Sequence, residues 1–312
     1  METNVKYDNI EQIAVIGTGV IGASWAAYFL ARGLRVSAWD PAPGARERLR
    51  EAIDAHWPTL IRIGLTAGAS RDALTFHDTL DAALAGADFV QESGPEREDL
   101  KQDLFRKMDA ALPSSVVIAS SSSGLLMSRV QSVCTHPERV VLGHPFNPPH
   151  LIPLVEVIGG ERTSQAAIET AMQFYRAIGK RAIHVKKEVK GHIANRLQAA
   201  LWREAIHLVD TGVASVADID DAIAYGPGLR WAAFGPFVNL QLSGGAGGIA
   251  HMLEHLGPPI ESWWADLGEP VLTDDLKARI AAGVDAELAG RGNAQLEAQR
   301  DAVILGILAG KA

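Results

Sequence analysis

Three glycines and an aspartate stand at a spacing that can hold a dinucleotide. Residues 13–22 read Ile-Ala-Val-Ile-Gly-Thr-Gly-Val-Ile-Gly, and a second apolar run ends in Trp39-Asp40. Gly17 permits a tight turn, Gly19 lets the backbone approach a pyrophosphate, and Gly22 lets the next helix lie close to the strand. That helix opens at Val20 and Ile21 and points its free N–H groups at the phosphate charge. Asp40 is placed to accept hydrogen bonds from ribose hydroxyls, and its charge repels a 2′-phosphate, so the expected cofactor is NAD. Hydride transfer from an alcohol then requires a base for the hydroxyl proton. His144 follows an apolar run and precedes a proline-rich turn in Leu142-Gly-His-Pro-Phe-Asn-Pro-Pro149. Glu156, in Leu154-Val-Glu-Val157, lies on the next strand and can hold the far nitrogen of the imidazole. Taken singly, His144 reads more readily as a structural histidine and Glu156 as one exposed acid on an edge strand.

These residues need a scaffold. Short apolar runs at 12–17, 34–39, 87–91, 115–119, 139–143, 153–158 and 181–186 alternate with helical patterns, which predicts a Rossmann-type, doubly wound, mostly parallel α/β sheet. A helix over 46–63 is expected to be interrupted by Pro58, and another spans about 98–111. After Lys190-Gly191 the pattern is all helical, with helices over 193–211, 217–224, 243–257, 274–288 and 294–308. The expected division is a dinucleotide-binding domain at 1–190 and an all-α domain at 191–312. The chain of 312 residues is long enough for both.

Four segments in order carry a resemblance: Ala119-Ser-Ser-Ser-Ser-Gly-Leu125, the His144 segment, Leu154-Val-Glu-Val157 and Gly191-His-Ile-Ala-Asn-Arg-Leu197. Together with the glycine fingerprint, they resemble the L-3-hydroxyacyl-CoA dehydrogenase superfamily over nearly the whole chain. The resemblance implies that His144 is the catalytic base, Glu156 its partner acid, and Ser123 and Asn195 hydrogen-bonding partners of the reacting oxygen. It further implies Glu96 and Lys101 on the cofactor side, with Ser123 and Asn147 also in the cofactor-binding set. The family forms dimers through the helical region, so a homodimer is expected.

The substrate is less sharply written. Residues 41–75 contain no lysine, where CoA-using members carry several; Arg46, Arg48, Arg50, Arg62 and Arg71 stand there instead. Pro137-Glu-Arg139, Gly159-Gly-Glu-Arg-Thr163, His184-Val-Lys-Lys-Glu-Val189, Ala200-Leu-Trp-Arg-Glu-Ala205 and Gly228-Leu-Arg-Trp231 resemble the carnitine dehydrogenase branch of the family. Trp231, Phe234, Trp263 and Trp264 are candidate rings for a trimethylammonium cage, and Arg230 a candidate for the substrate carboxylate. The expected reaction is NAD-dependent interconversion of a small L-3-hydroxy acid of the carnitine type and its 3-oxo form. The alternatives are a short 3-hydroxyacyl-CoA, L-gulonate, or a non-catalytic, crystallin-like NAD-binding role.

Composition narrows the partners. Net charge is −8 with no basic block, which disfavours nucleic acid and anionic membranes. No apolar run reaches a membrane span, and the polar start, with Glu2 and Asp8, is unlike a signal peptide. Cys134 is the one cysteine, so no intrachain disulfide forms, and a cytoplasmic protein is expected. His251 and His255 stand at i, i+4 without an acid to complete a zinc motif, so no metal is expected.

Overall fold

A computed structural model describes residues 10–311. The chain runs β1 (Gln12–Ile16), α1 (Val20–Ala31), β2 (Arg35–Trp39), α2 (Ala45–Ile63), β3 (Leu74–Phe76), α3 (Leu80–Leu84), β4 (Phe89–Glu92) and α4 (Glu98–Ala111). It continues with β5 (Val117–Ser120), α5 (Met127–Val130), β6 (Val140–Pro145), β7 (Leu154–Gly159), α6 (Gln165–Ala177) and β8 (Arg181–Val185). Helices follow: α7 (Ala194–Asp210), α8 (Val216–Ala224), α9 (Pro227–Ala233), α10 (Pro236–Ser243), α11 (Gly248–Asp266), α12 (Asp274–Leu288) and α13 (Asn293–Ala309).

The strands form one sheet in the order β3-β2-β1-β4-β5-β6-β7-β8. Every neighbouring pair is parallel except β6 and β7. Order reverses at β1, where β2 and β4 lie on either side, and ligands bind at such a crevice beyond the strand ends. Both faces are covered, so β1 reads as a continuous apolar run. Its alternate residues serve opposite cores: Ile13 and Val15 join α1, and Ala14 and Ile16 join α3 and α4. Helix α1 is apolar all round because it is enclosed. Trp25 stacks on Phe29 at 5.1 Å and on Tyr175 at 5.8 Å.

Two compact units divide at Arg196 and Leu197, inside α7. The second is helical and has almost no interior. Among the described residues from 197 onward, Leu276 is the one hydrophobic side chain counted in the buried core.

The predicted strands are present, and several helices differ from expectation. Pro58 does not interrupt α2. Pro58 and Asp54, whose carbonyl loses its partner, are both exposed, so water can satisfy that carbonyl. Similarly, α11 starts at Gly248 and runs through Pro258 and Pro259 to Asp266, rather than over 243–257. Strand β3, of three residues, and the short helices α9 and α10 are too brief to show a period in sequence.

Candidate active site

The dinucleotide crevice is built by backbone geometry. Gly17 has φ +87°, and its N–H donates to the Trp39 carbonyl at 2.9 Å. A Cβ at Gly17 would press on the Ser93–Gly94 backbone, and one at Gly22 would land on the Gly17 carbonyl. At Gly19 nothing lies within 4 Å of where a Cβ would be, so this face is open to a ligand. No acidic residue stands in the first turn of α1 to oppose a phosphate. Asp40 is fixed from both oxygens: Thr18 N–H donates at 2.7 Å and Ala42 N–H at 2.8 Å. The crevice between these parts has a volume of about 690 Å³, with Gly17, Gly19, Asp40, Ser93, Pro95 and Lys107 among its walls. These features fit a dinucleotide.

Beneath the Ser93–Gly94 turn lies a buried polar cluster that the sequence reading missed. Glu92, fully buried at the end of β4, accepts from Lys101 Nζ at 2.6 and 2.8 Å, from Ser120 Oγ at 2.6 Å and from Gly94 N–H at 2.6 Å. Lys101 is 1% exposed and donates both to Glu92 and, at 3.2 Å, to the carbonyl of Gly94 on the crevice wall. Lys107 also reaches the crevice wall. Glu96 turns toward the serine loop: its carboxylate accepts from Ser122 Oγ at 2.6 Å and from Gly124 and Leu125 N–H at 2.8 and 3.2 Å. It braces the loop on which Ser123 is exposed.

His144 and Glu156 are direct cross-strand partners in the antiparallel β6–β7 pair. Register alone therefore places the imidazole beside the carboxylate, and Nδ1 meets Glu156 Oε2 at 3.0 Å. The other oxygen accepts from Ile193 and Ala194 N–H, at 2.9 and 3.0 Å, at the head of α7. Burial pushes the Glu156 pKa up, but the His144 bond and the two backbone donors outweigh it, so the carboxyl is held below its usual range. An ionised Glu156 makes Nδ1 the donor and leaves a lone pair on Nε2, the form a base requires. Gly143, the residue before His144, makes room for Tyr175, whose hydroxyl a Cβ there would strike.

The lowered Glu156 pKa has a sign that can be tested. The folded value lies below the unfolded one, so its stabilisation is complete above the ordinary glutamate range and is lost as pH falls through the folded value. Urea melts of wild type and Glu156→Gln are expected to differ most at neutral pH and to converge in acid. A constant difference across that window would contradict the assignment.

The other predicted residues fall as follows. Asn195 is half-buried in the first turn of α7, and Asn147 is exposed after β6. Among the described residues, the side chains of Ser123 and Asn195 make no hydrogen bond within the protein. Arg230, Trp231, Phe234, Trp263 and Trp264 are all exposed. Trp231 lies on α9, Phe234 just after it, and Trp263 and Trp264 near the end of α11. Among the described residues no ring contact joins the first pair to the second. Adjacent residues on a helix face about 100° apart, which separates Trp263 from Trp264 as well. Cys134 is buried, its thiol pushed up to about 11, a poor nucleophile. Among the described residues, no cluster of three His, Cys, Asp or Glu is placed to hold a metal ion.

The model of the 3-hydroxyacyl-CoA dehydrogenase NAD-binding domain matches residues 12–189, and that of the C-terminal domain matches 191–270. The chain belongs to the 3-hydroxyacyl-CoA dehydrogenase family. It is an NAD-dependent oxidoreductase of that family. Among curated relatives, it is 54% identical to an L-carnitine dehydrogenase of Streptomyces coelicolor, covering 96% of this chain and 95% of that one. It is 50% identical to an L-carnitine dehydrogenase of Pseudomonas putida, covering 96% and 93%. Among solved structures, it is similar to 5-formyl-3-hydroxy-2-methylpyridine 4-carboxylic acid 5-dehydrogenase, an NAD+-dependent dismutase, with TM-score 0.82, 32% identity and coverage of 96% and 97%. The Escherichia coli 3-hydroxybutyryl-CoA dehydrogenase is more distant, with TM-score 0.65, 26% identity and coverage of 82% and 53%.

Proposed function

We propose that this protein oxidises L-carnitine, or a close trimethylammonium 3-hydroxy acid, to the 3-oxo acid. The observation that carries the reading is the 54% identity to an L-carnitine dehydrogenase over nearly the full length of both chains, joined to an intact His144–Glu156 pair. Bound NAD supplies the hydride acceptor. His144 Nε2 takes the hydroxyl proton as the C3–H electron pair departs, and the oxygen keeps the electrons of the broken O–H bond to form the carbonyl. Glu156 holds the resulting imidazolium. Ser123 and Asn195 are assigned to the reacting oxygen, which fits side chains without partners inside the protein. Asp40 is assigned to the ribose, and Glu96 to bracing the serine loop. The cation is assigned to exposed aromatic faces, with Trp231 and Phe234 beside Arg230 the first to test.

The test is NADH formation with L-carnitine, L-gulonate and L-3-hydroxybutyryl-CoA side by side. Saturable turnover of carnitine, with the CoA ester slower by orders of magnitude, is expected. The reverse preference would return the substrate to the acyl-CoA class.

The reading includes a homodimer in the cytoplasm. Among the described residues, eighteen of the twenty-three exposed large hydrophobic ones lie from Leu197 onward, more apolar surface than a monomer ordinarily leaves in water. No described helix is long and apolar enough to cross a membrane, so a second copy is the favoured cover. Sedimentation velocity is expected to show a dimer at micromolar concentration, and a monomer throughout would refute it.

A further inference from the structure

His192 lies outside every role assigned above, yet it packs against the base. Its ring centroid is 5.1 Å from that of His144, and the residue is 2% exposed. Neither ring nitrogen has a hydrogen-bond partner of full geometry. The narrow cleft it shares with Leu125, Met127, Leu142, Ile158 and Glu188 has no room for a water molecule. Its backbone is left-handed, with φ +53°, directly after Gly191 at φ +78°. Phenylalanine would fill the same space without burying two ring nitrogens that lack a partner of full geometry. Costs of this kind gather at functional sites.

We infer that His192 is a positioning residue for the proposed oxidation: an uncharged imidazole that solvates the His144 imidazolium from the ring packed beside it. The inference rests on His144 being the base. When His144 takes the substrate proton, a cation forms in a buried pocket, where a dipolar neighbour stabilises it and a hydrocarbon does not. His192 itself must stay neutral. Burial, and then repulsion from His144, hold its pKa down, against the opposing pull of Glu156, the Ser122 backbone and Glu96. Glu188, in the shared cleft, is engaged by Ser128 N–H and Oγ.

The test is His192→Phe, read by NMR titration of the His144 Cε1 proton, which is assigned by its disappearance in His144→Gln. The His144 pKa is expected to fall by about half to one unit, equivalent to about a three- to tenfold weaker hold on the proton. The acid limb of kcat/KM should move down with it, kcat should fall about three- to tenfold, and NAD affinity should be unchanged. His192→Asn keeps a dipole and tolerates the left-handed backbone, so it should restore both readouts. An unchanged His144 titration in His192→Phe would overturn the inference and leave His192 a space-filler. If phenylalanine does not fold there, His192→Leu takes its place: a fall of about half to one unit supports the inference, and an unchanged titration overturns it. The titration needs no substrate. Failure of carnitine turnover in wild type would therefore sink the substrate reading alone, and activity retained in His144→Gln would sink the base.

Discussion

Replacing His144 with glutamine is expected to lower kcat by about 10²–10⁴-fold, the usual contribution of a positioned general base. Glutamine can still donate to Glu156 but cannot take a proton at neutral pH. The strand pairing that holds residue 144 opposite 156 is backbone, so the fold should survive. The NAD crevice is formed by Gly17, Asp40 and the Ser93–Gly94 turn, none of which touches His144, so NAD affinity should stay within about twofold. Stopped-flow hydride transfer and fluorescence titration of NADH separate the two quantities. Turnover unchanged from wild type would mean that the base is elsewhere. Loss of NAD binding along with turnover would mean that the variant is misfolded, which a thermal melt would reveal.

Lys101→Met should have the largest effect on stability. It leaves Glu92 fully buried and deprived of its cation, and breaking a buried pair from one side costs about 3–5 kcal/mol. Ser120 Oγ and Gly94 N–H still bond the carboxylate, which places the effect toward the lower end of that range. The double variant Glu92→Leu/Lys101→Met removes the charge as well as its partner and should recover much of the loss. Urea denaturation of the single and double variants checks both statements. A double variant no more stable than the single one would show that the polar bonds at the end of β4, rather than the unpaired charge, carry the stability.

The parts legible in sequence are those whose residue type is dictated by local geometry. A glycine at φ +87° and a glycine whose Cβ would meet a carbonyl announce themselves at Gly17 and Gly22. So do strands enclosed on both faces, which read as apolar runs. The His144–Glu156 relation was accessible because a short connection joins two consecutive strands. The roles of Glu92 and His192 were not legible, because they depend on burial and on contacts that no spacing rule dictates. Lys101 was named only through the family resemblance, and its buried ion pair with Glu92 was not foreseen. Pro58 misled for a related reason: whether a helix tolerates a proline depends partly on what satisfies the carbonyl it abandons, and here Asp54 is exposed to water. The substrate-side rings stand in two stretches of sequence, Trp231 with Phe234 at the end of α9 and Trp263 with Trp264 near the end of α11, and spacing along the chain does not dictate how the two stretches are brought together.

The reversed β7 has a consequence for how this enzyme can be assayed. A slip of one residue in the β6–β7 hairpin would turn Glu156 to the opposite face of the sheet. It would leave the imidazole without its carboxylate and the first N–H groups of α7 without an acceptor. Misthreaded chains would thus be catalytically silent even where the NAD crevice, built around β1, β2 and β4, had formed. The ratio of active sites counted by single-turnover burst to sites counted by NADH binding is then a gauge of hairpin fidelity in any preparation. It distinguishes a slow enzyme from a mixture of correct and misthreaded molecules.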